Sequence, residues 1–141
     1  MRAIIAVFML FIAATAANGD EAVSKQVVVS TILATTVTAA GQPIILPTGH
    51  VRLIASMYEI APGVSLPVHE HPYPRYGYVL AGDLTVTDKE SGAQSTYKAG
   101  DFIVEMVDRW HSGQNTGAVP VRLLVIDQVP EAAIGNTVLR P

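Results

Sequence analysis

The chain has 141 residues, which is the size of one ordinary domain. Nine Lys and Arg residues against twelve Asp and Glu residues give a formal net charge of −3, without any basic run. This charge pattern argues against a nucleic-acid-binding protein. Hydrophobic residues make up 50% and charged residues 15% of the chain, which excludes a disordered protein. The lack of cysteine excludes disulfides and thiolate chemistry.

Residues 1–17 have the layout of a secretory signal peptide. Met1 and Arg2 form a short positive segment, twelve apolar residues follow to Ala14, and small residues continue to Ala17. The apolar run is too short to span a bilayer comfortably, which needs about 20 residues. An uncleaved anchor or a buried first helix is the alternative interpretation. We expect cleavage after Ala17. The mature protein is then predicted to be secreted or periplasmic and not attached to a membrane.

The remaining chain predicts an all-β domain. Residues 18–50 are interpreted as an N-terminal tail and β arm, in which residues 26–38 are rich in β-branched side chains. Residues 51–60 predict a strand with one buried face, and residues 129–141 are interpreted as a C-terminal tail. Short segments separated by turns predict further strands at 76–80, 84–87, 94–97, 102–107 and 119–127. This spacing is typical of a sandwich or a barrel.

Three of the four histidines form a pattern that suits a metal ion. His69 and His71 alternate, so on an extended strand both imidazoles point to the same face, whereas Glu70 points away. His111 follows forty residues later, after strands and turns that can bring it alongside. Neutral imidazoles are ligands for iron, manganese, zinc, nickel or copper. Two histidines near a proline-rich turn are also compatible with an ordinary surface.

The frame around these histidines resembles the two sequence motifs of the cupin family. The first motif is matched by Gly63, His69, His71 and Gly82, and the second by Gly100, His111 and Asn115. The resemblance implies a single antiparallel β-barrel of the jelly-roll, or double-stranded β-helix, type over residues 51–128. It also implies a divalent metal on the motif histidines, a small-molecule substrate and dioxygenase or isomerase chemistry. Family analogy further suggests a homodimer in which residues 26–38 serve as a pairing strand.

Two positions depart from the cupin pattern. Arg75 stands where the first motif usually has a glutamate ligand, and an inward guanidinium would repel a metal ion. Met106, Val107 and Asp108 stand where the second motif usually reads Pro-x-Gly, which puts the loop before His111 in doubt.

The missing glutamate leaves three interpretations. The site can be a three-histidine one, which we favour because the histidine set is complete. Another group can replace the glutamate, and the candidates are Glu105, Glu59, Tyr73 and Tyr76. Alternatively, no metal binds, and Arg75 with the histidines holds an anionic ligand such as a carboxylate. Trp110, beside His111, either lines the pocket or is a buried anchor.

Two functional hypotheses follow from these interpretations. The first is an exported metal-dependent enzyme that acts on a small organic molecule. The second is a non-catalytic barrel that binds or senses a small anionic ligand, and it is motivated by Arg75.

Overall fold

The structure is a computed structural model that describes residues 27–141. The predicted signal peptide, residues 1–17, lies outside the described residues. The described chain forms strands and turns without a helix, as the all-β prediction expects. Among these residues, therefore, no helix has the length and apolarity that crossing a membrane requires.

Within residues 27–141, nine strands form two antiparallel sheets. Their bounds are β1 Val51–Ile60, β2 His69–Glu70, β3 Arg75–Ala81, β4 Asp83–Asp88, β5 Gln94–Lys98, β6 Phe102–Val104, β7 His111–Asn115, β8 Val121–Pro130 and β9 Val138–Leu139. One sheet has the order β1-β8-β3-β6, and the other has the order β5-β4-β7-β2-β9. Strand pairing does not join the two sheets into one closed hydrogen-bonded ring within residues 27–141.

The core lies between the two sheets. Alternation along β8 buries Val121, Leu123 and Val125, whereas Leu124 and Ile126 are turned to the outer face of the sheet. The buried cluster includes residues of both sheets: Ile60, Val79, Leu84, Ile103, Val121, Leu123 and Val125. Because each sheet buries one apolar face against the other, their inner faces enclose the position to which the motif histidines point.

Most strands lie where the sequence predicts them, and the differences have local causes. The predicted strand at 102–107 ends at Val104, because residues 105–108 leave the sheet as a loop. Residues 111–115 form β7, although Gln114 and Asn115 suggest a break. The buried positions of β7 are His111, Gly113 and Asn115, so the strand has no apolar alternation that a sequence pattern can reveal.

The segment predicted as a β arm does not form a paired strand over residues 27–36. Residues 27–36 form no strand, and the first bridge pairs Val37 with Pro43. β-Branched side chains favour an extended backbone, but no strand of the described chain pairs with this segment. The turn that follows is attached to β6, because the Ala39 amide donates to the Val104 carbonyl at 2.8 Å.

The turn between β3 and β4 requires glycine at position 82. Gly82 has φ +80°, and an added Cβ would lie 2.9 Å from both the Pro120 oxygen and the Val121 Cα. Both obstacles are backbone atoms of the neighbouring β8 region, so they cannot rotate away. Gly92 has a similar φ of +75° but open space around it.

We therefore expect Gly82→Ala to lower the free energy of unfolding by about 2–5 kcal/mol, from left-handed strain plus a backbone clash. Gly92→Ala is the matched control and should cost about 1–2 kcal/mol, from the strain alone. Chemical denaturation of the two variants measures the difference. Equal losses would show that the close approach at Gly82 contributes nothing.

Candidate metal centre

The three motif histidines converge between the sheets. His69 on β2 pairs directly with His111 on β7, and His71 follows β2 by one residue. Their ring centroids lie 4.4–4.9 Å from one another. All three side chains are buried, and His71 and His111 are almost completely so. The β2–β7 pairing thus brings together two motifs that are forty residues apart in the sequence.

Each ring is oriented by a backbone carbonyl. A carbonyl oxygen only accepts hydrogen bonds, so Nδ1 carries the proton and Nε2 keeps its lone pair. The Nδ1 atoms of His69, His71 and His111 donate to the oxygens of Pro67, Asn136 and Arg109 at 2.7, 2.6 and 2.8 Å. This support fixes the tautomer and presents the Nε2 atoms as ligands, as in metal sites generally.

Glu105 completes the cluster. Its Oε2 lies 3.2 Å from His71 Nε2 and 3.3 Å from His111 Nε2. One ligand atom from each of His69, His71, Glu105 and His111 lies within 4.8 Å of the others. Glu105, one of the replacement candidates from sequence, therefore lies with the three histidines in a four-residue cluster that could hold a metal ion.

The donor atoms of this cluster favour positive charge between them, which a proton on Nε2 or a metal ion can supply. With the protons on Nδ1, two Nε2 lone pairs face a carboxylate oxygen, and such acceptors repel each other unless positive charge lies between them. Nε2 of His111 is buried and has no hydrogen-bond partner among the described residues. Three imidazole nitrogens and one carboxylate oxygen are ligands for a first-row divalent metal. The residues therefore fit a metal ion.

Burial and charge keep the ligands in their binding forms. Burial lowers the pKa of His69 to about 4, so this imidazole is neutral near neutral pH. Burial raises the pKa of Glu105, but hydrogen bonds that His111 and His71 donate when Nε2 is protonated, together with the positive charge of Arg75, lower it by more. The net effect holds the pKa of Glu105 well below its usual range, and the carboxylate is ionised.

Arg75 is buried beside the cluster without repelling it. Its Nε and Nη2 donate to the two carboxylate oxygens of Asp127 at 2.7 and 3.0 Å. The two residues are partners across β3 and β8, so sheet register sets up the pair. The Asp127 carboxylate balances the guanidinium charge, which removes the objection that an inward arginine excludes a metal. The remaining nitrogen, Nη1, lies 3.5 Å from His71 Nε2.

Comparison with known proteins agrees with this geometry. The model of the cupin domain family matches residues 56–127. The chain is a cupin. A comparison with curated proteins finds no match.

Solved structures share the jelly-roll architecture, which confirms the predicted fold class. Oxalate decarboxylase of Lactobacillus farciminis, in a formate complex, is 26% identical with a TM-score of 0.53. That match covers 62% of this cupin but only 26% of the decarboxylase chain, so this cupin spans about a quarter of that protein. An uncharacterised Klebsiella pneumoniae protein with a double-stranded β-helix domain is 23% identical (TM-score 0.52), covering 70% of this chain and 82% of its own. A cupin 2 conserved barrel protein from Salinispora arenicola is 21% identical (TM-score 0.50), covering 57% and 65%.

In this cupin the carboxylate has moved to the neighbouring strand. Glu105 directly follows β6, and its amide donates to the Arg75 carbonyl at 2.9 Å. The two residues are therefore neighbours across the β3–β6 pair, where strands lie about 4.8 Å apart. The ligand position and its replacement reach the same interior point from adjacent strands.

The loop at residues 105–108, which departs from Pro-x-Gly, is held in place by hydrogen bonds. Asp108 adopts φ +48°, a left-handed conformation that Asp tolerates better than most residues. Its amide donates to the His71 carbonyl at 2.9 Å. Gln42 clamps the same loop by exchanging two hydrogen bonds with the Val107 backbone, at 2.8 and 3.1 Å. The loop that carries Glu105 is thereby attached to both the N-terminal turn and a ligand histidine.

The other candidates from sequence have their own surroundings in the structure. Glu59 is exposed on β1, and Tyr76 lies on the outer sheet face with its hydroxyl 3.5 Å from Gln128. The Tyr73 amide bonds to Asn136, and Trp110 is half-buried with the Arg140 guanidinium 5.8 Å from its ring centroid. Of the two acids named from sequence, Glu105 but not Glu59 belongs to the group of donor atoms around the histidines in the described chain.

Sequence reasoning missed Asp127 and Asn136. Both are buried polar residues near the centre. A signal for Asp127 exists, because it continues the inward register of Val121, Leu123 and Val125 along β8. An acid on a buried face requires a partner. Asn136 lies in an irregular segment, where no sequence period marks the inward side.

Proposed function

We propose that this cupin is a metal-dependent enzyme that acts on a small organic molecule. The ion is held by His69, His71, Glu105 and His111. The observation that carries the proposal is the convergence of three imidazoles on the half-buried carboxylate of Glu105. The signal peptide predicted for residues 1–17 makes export part of the proposal.

The surroundings of the cluster suit an ion that takes part in chemistry. A bound divalent metal supplies Lewis-acid or oxygen-activating chemistry, as the dioxygenase and isomerase hypotheses require. A cavity of about 20 Å³ adjoins the cluster, which is room for about one water molecule. Its walls include Tyr58, Leu66, Leu84, Leu123 and Val125. Such apolar walls strengthen electrostatic interactions and keep bulk water away.

A larger cavity nearby has room for a substrate. It measures about 330 Å³, which is at the lower end for small-molecule sites. Asp88 and Arg109 supply its charged groups, and Met106 and Tyr97 are among its apolar residues. Val86 lines both this cavity and the small one beside the metal ligands. We infer that a substrate enters from the larger cavity and that Val86 limits what reaches the ion.

Metal content tests the proposal. We expect about one divalent ion per chain in protein that is expressed with its own first 17 residues and recovered outside the cytoplasm. His69→Ala combined with His71→Ala should abolish binding, and Glu105→Gln should weaken it about tenfold or more by removing the charged ligand. Elemental analysis and metal titration provide the measurements.

Two exposed residues provide matched controls for this test. His50 is exposed before β1, and Glu59 is exposed on β1. His50→Ala and Glu59→Gln should therefore bind metal like the wild type. Little metal in the wild type, or equal metal in the histidine double variant, would refute the metal site.

A second candidate function rests on Arg75. Its Nη1 faces the metal cluster and has no carboxylate partner, since Asp127 occupies Nε and Nη2. An anionic ligand beside the ion would accept a charge-assisted hydrogen bond from Nη1. The protein would then be a non-catalytic module that binds or senses a small carboxylate.

Formate, the smallest carboxylate, tests the role of Arg75. Lysine at position 75 keeps a positive charge near Asp127 but cannot serve both Asp127 and a ligand, because it lacks the planar fork. In the metal-loaded protein we expect Arg75→Lys to weaken formate binding about tenfold or more, with metal content retained. Arg122→Lys, exposed on β8, is the control.

Formate titration followed by Co²⁺ absorption measures the effect, and steady-state turnover separates the two candidate functions. Oxygen uptake or isomerisation of small organic acids would favour the enzyme. Tight formate binding without turnover would favour the binding module. Equal affinities in the wild type and Arg75→Lys would remove Arg75 from the ligand site.

The outer face of the four-stranded sheet supports a homodimer. A groove of about 250 Å³ on this face is lined by Ile32, Tyr76, Gly77, Tyr78, Phe102, Leu124 and Ile126. The adjoining segment exposes Val27, Val28 and Val29, each more than three-quarters exposed. An apolar face beside an unpaired, strand-prone segment is typical of a protein interface. We propose that a second copy of the chain covers this face.

Sedimentation velocity checks the homodimer. We expect the wild type to sediment with twice the mass of the chain, and Ile126→Lys to shift the protein towards monomer by placing a charge in the interface. Val119→Lys, on an exposed loop, should stay dimeric. A monomeric wild type would refute the dimer.

A further inference from the structure

Asn136 is a buried residue in an otherwise exposed C-terminal segment. Only 3% of its surface is accessible, whereas Gly135 and Thr137 on either side are exposed. Its backbone carbonyl accepts the 2.6 Å hydrogen bond from Nδ1 of His71. The orientation of one metal ligand therefore depends on a residue 65 positions further along the chain.

The side chain of Asn136 fixes the position of that carbonyl. Its Oδ1 accepts from the Tyr73 amide at 2.9 Å, and its Nδ2 donates to the Tyr73 carbonyl at 3.0 Å. Nδ2 also donates to Oδ1 of Asp127 at 2.7 Å. Asp127 in turn holds Arg75, whose Nη2 donates to the Thr137 hydroxyl at 3.1 Å. One amide thus links His71 to the buried ion pair.

The residues after Asn136 contact the other histidine of the same motif. β9 pairs with β2, and Leu139 lies opposite His69. The Arg140 amide donates to the Val68 carbonyl at 3.0 Å. We call residues 136–140 the strap. It adjoins His69 through strand pairing, and it adjoins His71 through the hydrogen bond from the His71 ring to the Asn136 carbonyl.

We propose that Asn136 is a positioning residue of the metal centre, acting through His71, and that closure of the strap and metal binding stabilise each other. The inference rests on the metal binding proposed above. When the second ring nitrogen of a ligand histidine donates its N–H to a fixed acceptor, the imidazole is already held in the orientation that the metal needs. Ordering the ring then costs less free energy on metal binding. The coupling is reciprocal, so an ion that fixes His69 and His71 must also hold the strap closed.

Asn115 offers a matched control. It is also a fully buried asparagine, and its amide makes three hydrogen bonds, to Ile60, Val119 and Gly117. These partners are backbone groups at the end of β1 and in the turn before β8, outside the histidine cluster. Asn115→Ala and Asn136→Ala therefore remove the same chemistry from two buried sites, only one of which adjoins a ligand.

Titration of the purified protein with Co²⁺ tests the inference. We expect Asn136→Ala to lower the Co²⁺ affinity of the folded protein about 10- to 100-fold and to alter the visible absorption of the bound ion. Asn115→Ala should lose stability but keep the wild-type spectrum and an affinity within about threefold of the wild type, since it leaves the supporting shell intact. Circular dichroism confirms that each variant is folded during the titration.

Hydrogen exchange on the wild type provides a measurement that needs no variant. Saturation with Co²⁺ should slow exchange about tenfold or more at the amides of Tyr73 and Arg140, which depend on the closed strap. The Gly117 amide, held by Asn115, should be unaffected.

The outcomes separate this inference from the proposed function. A wild type that does not bind Co²⁺ overturns both. A wild type that binds it, with unchanged affinity and spectrum in Asn136→Ala or equal losses in the two asparagine variants, overturns the positioning role alone. Co²⁺ binding without added protection at Tyr73 and Arg140 overturns the coupling to the strap.

Discussion

Three buried imidazoles are held so that their lone pairs meet an ionised carboxylate, and this constraint organises much of the molecule. Backbone carbonyls hold the protons on Nδ1, so the rings cannot relieve the contact with Glu105 by changing tautomer. The adjoining cavity has room for about one water molecule, which has only two protons to donate to the four groups. A divalent ion satisfies all four donor groups at once. The β2–β7 pairing, the Glu105 loop and the strap each keep part of this arrangement in place.

The all-β fold could be predicted from sequence because its strands are bounded by turn residues, whereas the jelly-roll type was implied by the resemblance to the cupin motifs. Residues 51–60 are the clearest case, and the structure gives β1 the same bounds. β2 and β9 have two residues each, too few for any period to appear. β7 is hidden for another reason, since its buried positions are occupied by histidine, glycine and asparagine. Motif spacing therefore predicted the histidine site. It did not predict β7, the strand that carries His111.

The position of the carboxylate ligand was open in the sequence for a physical reason. Glu59 and Glu105 are both acids within predicted strands, and local patterns do not tell which strand lies next to position 75. The β3–β6 register decides it, because it places the Glu105 amide on the Arg75 carbonyl. Sheet order is a long-range property, and it depends on packing that extends over the whole chain. The same argument applies to Asp127, whose pairing with Arg75 requires β8 to lie beside β3.

The charges of the interior explain how an arginine can occupy a ligand position. Arg75 and Asp127 form a buried pair with no net charge, so they add no repulsion at long range. Glu105 contributes one negative charge, and a divalent ion leaves one positive charge in excess in a medium of low dielectric constant. An excess buried charge is unfavourable unless it is compensated. A single anionic ligand compensates it, and Nη1 of Arg75 is the group placed to receive one. An arginine at the position of a ligand glutamate is therefore compatible with a metal ion, and its Nη1 lies beside the cluster, where the anion that we propose would bind.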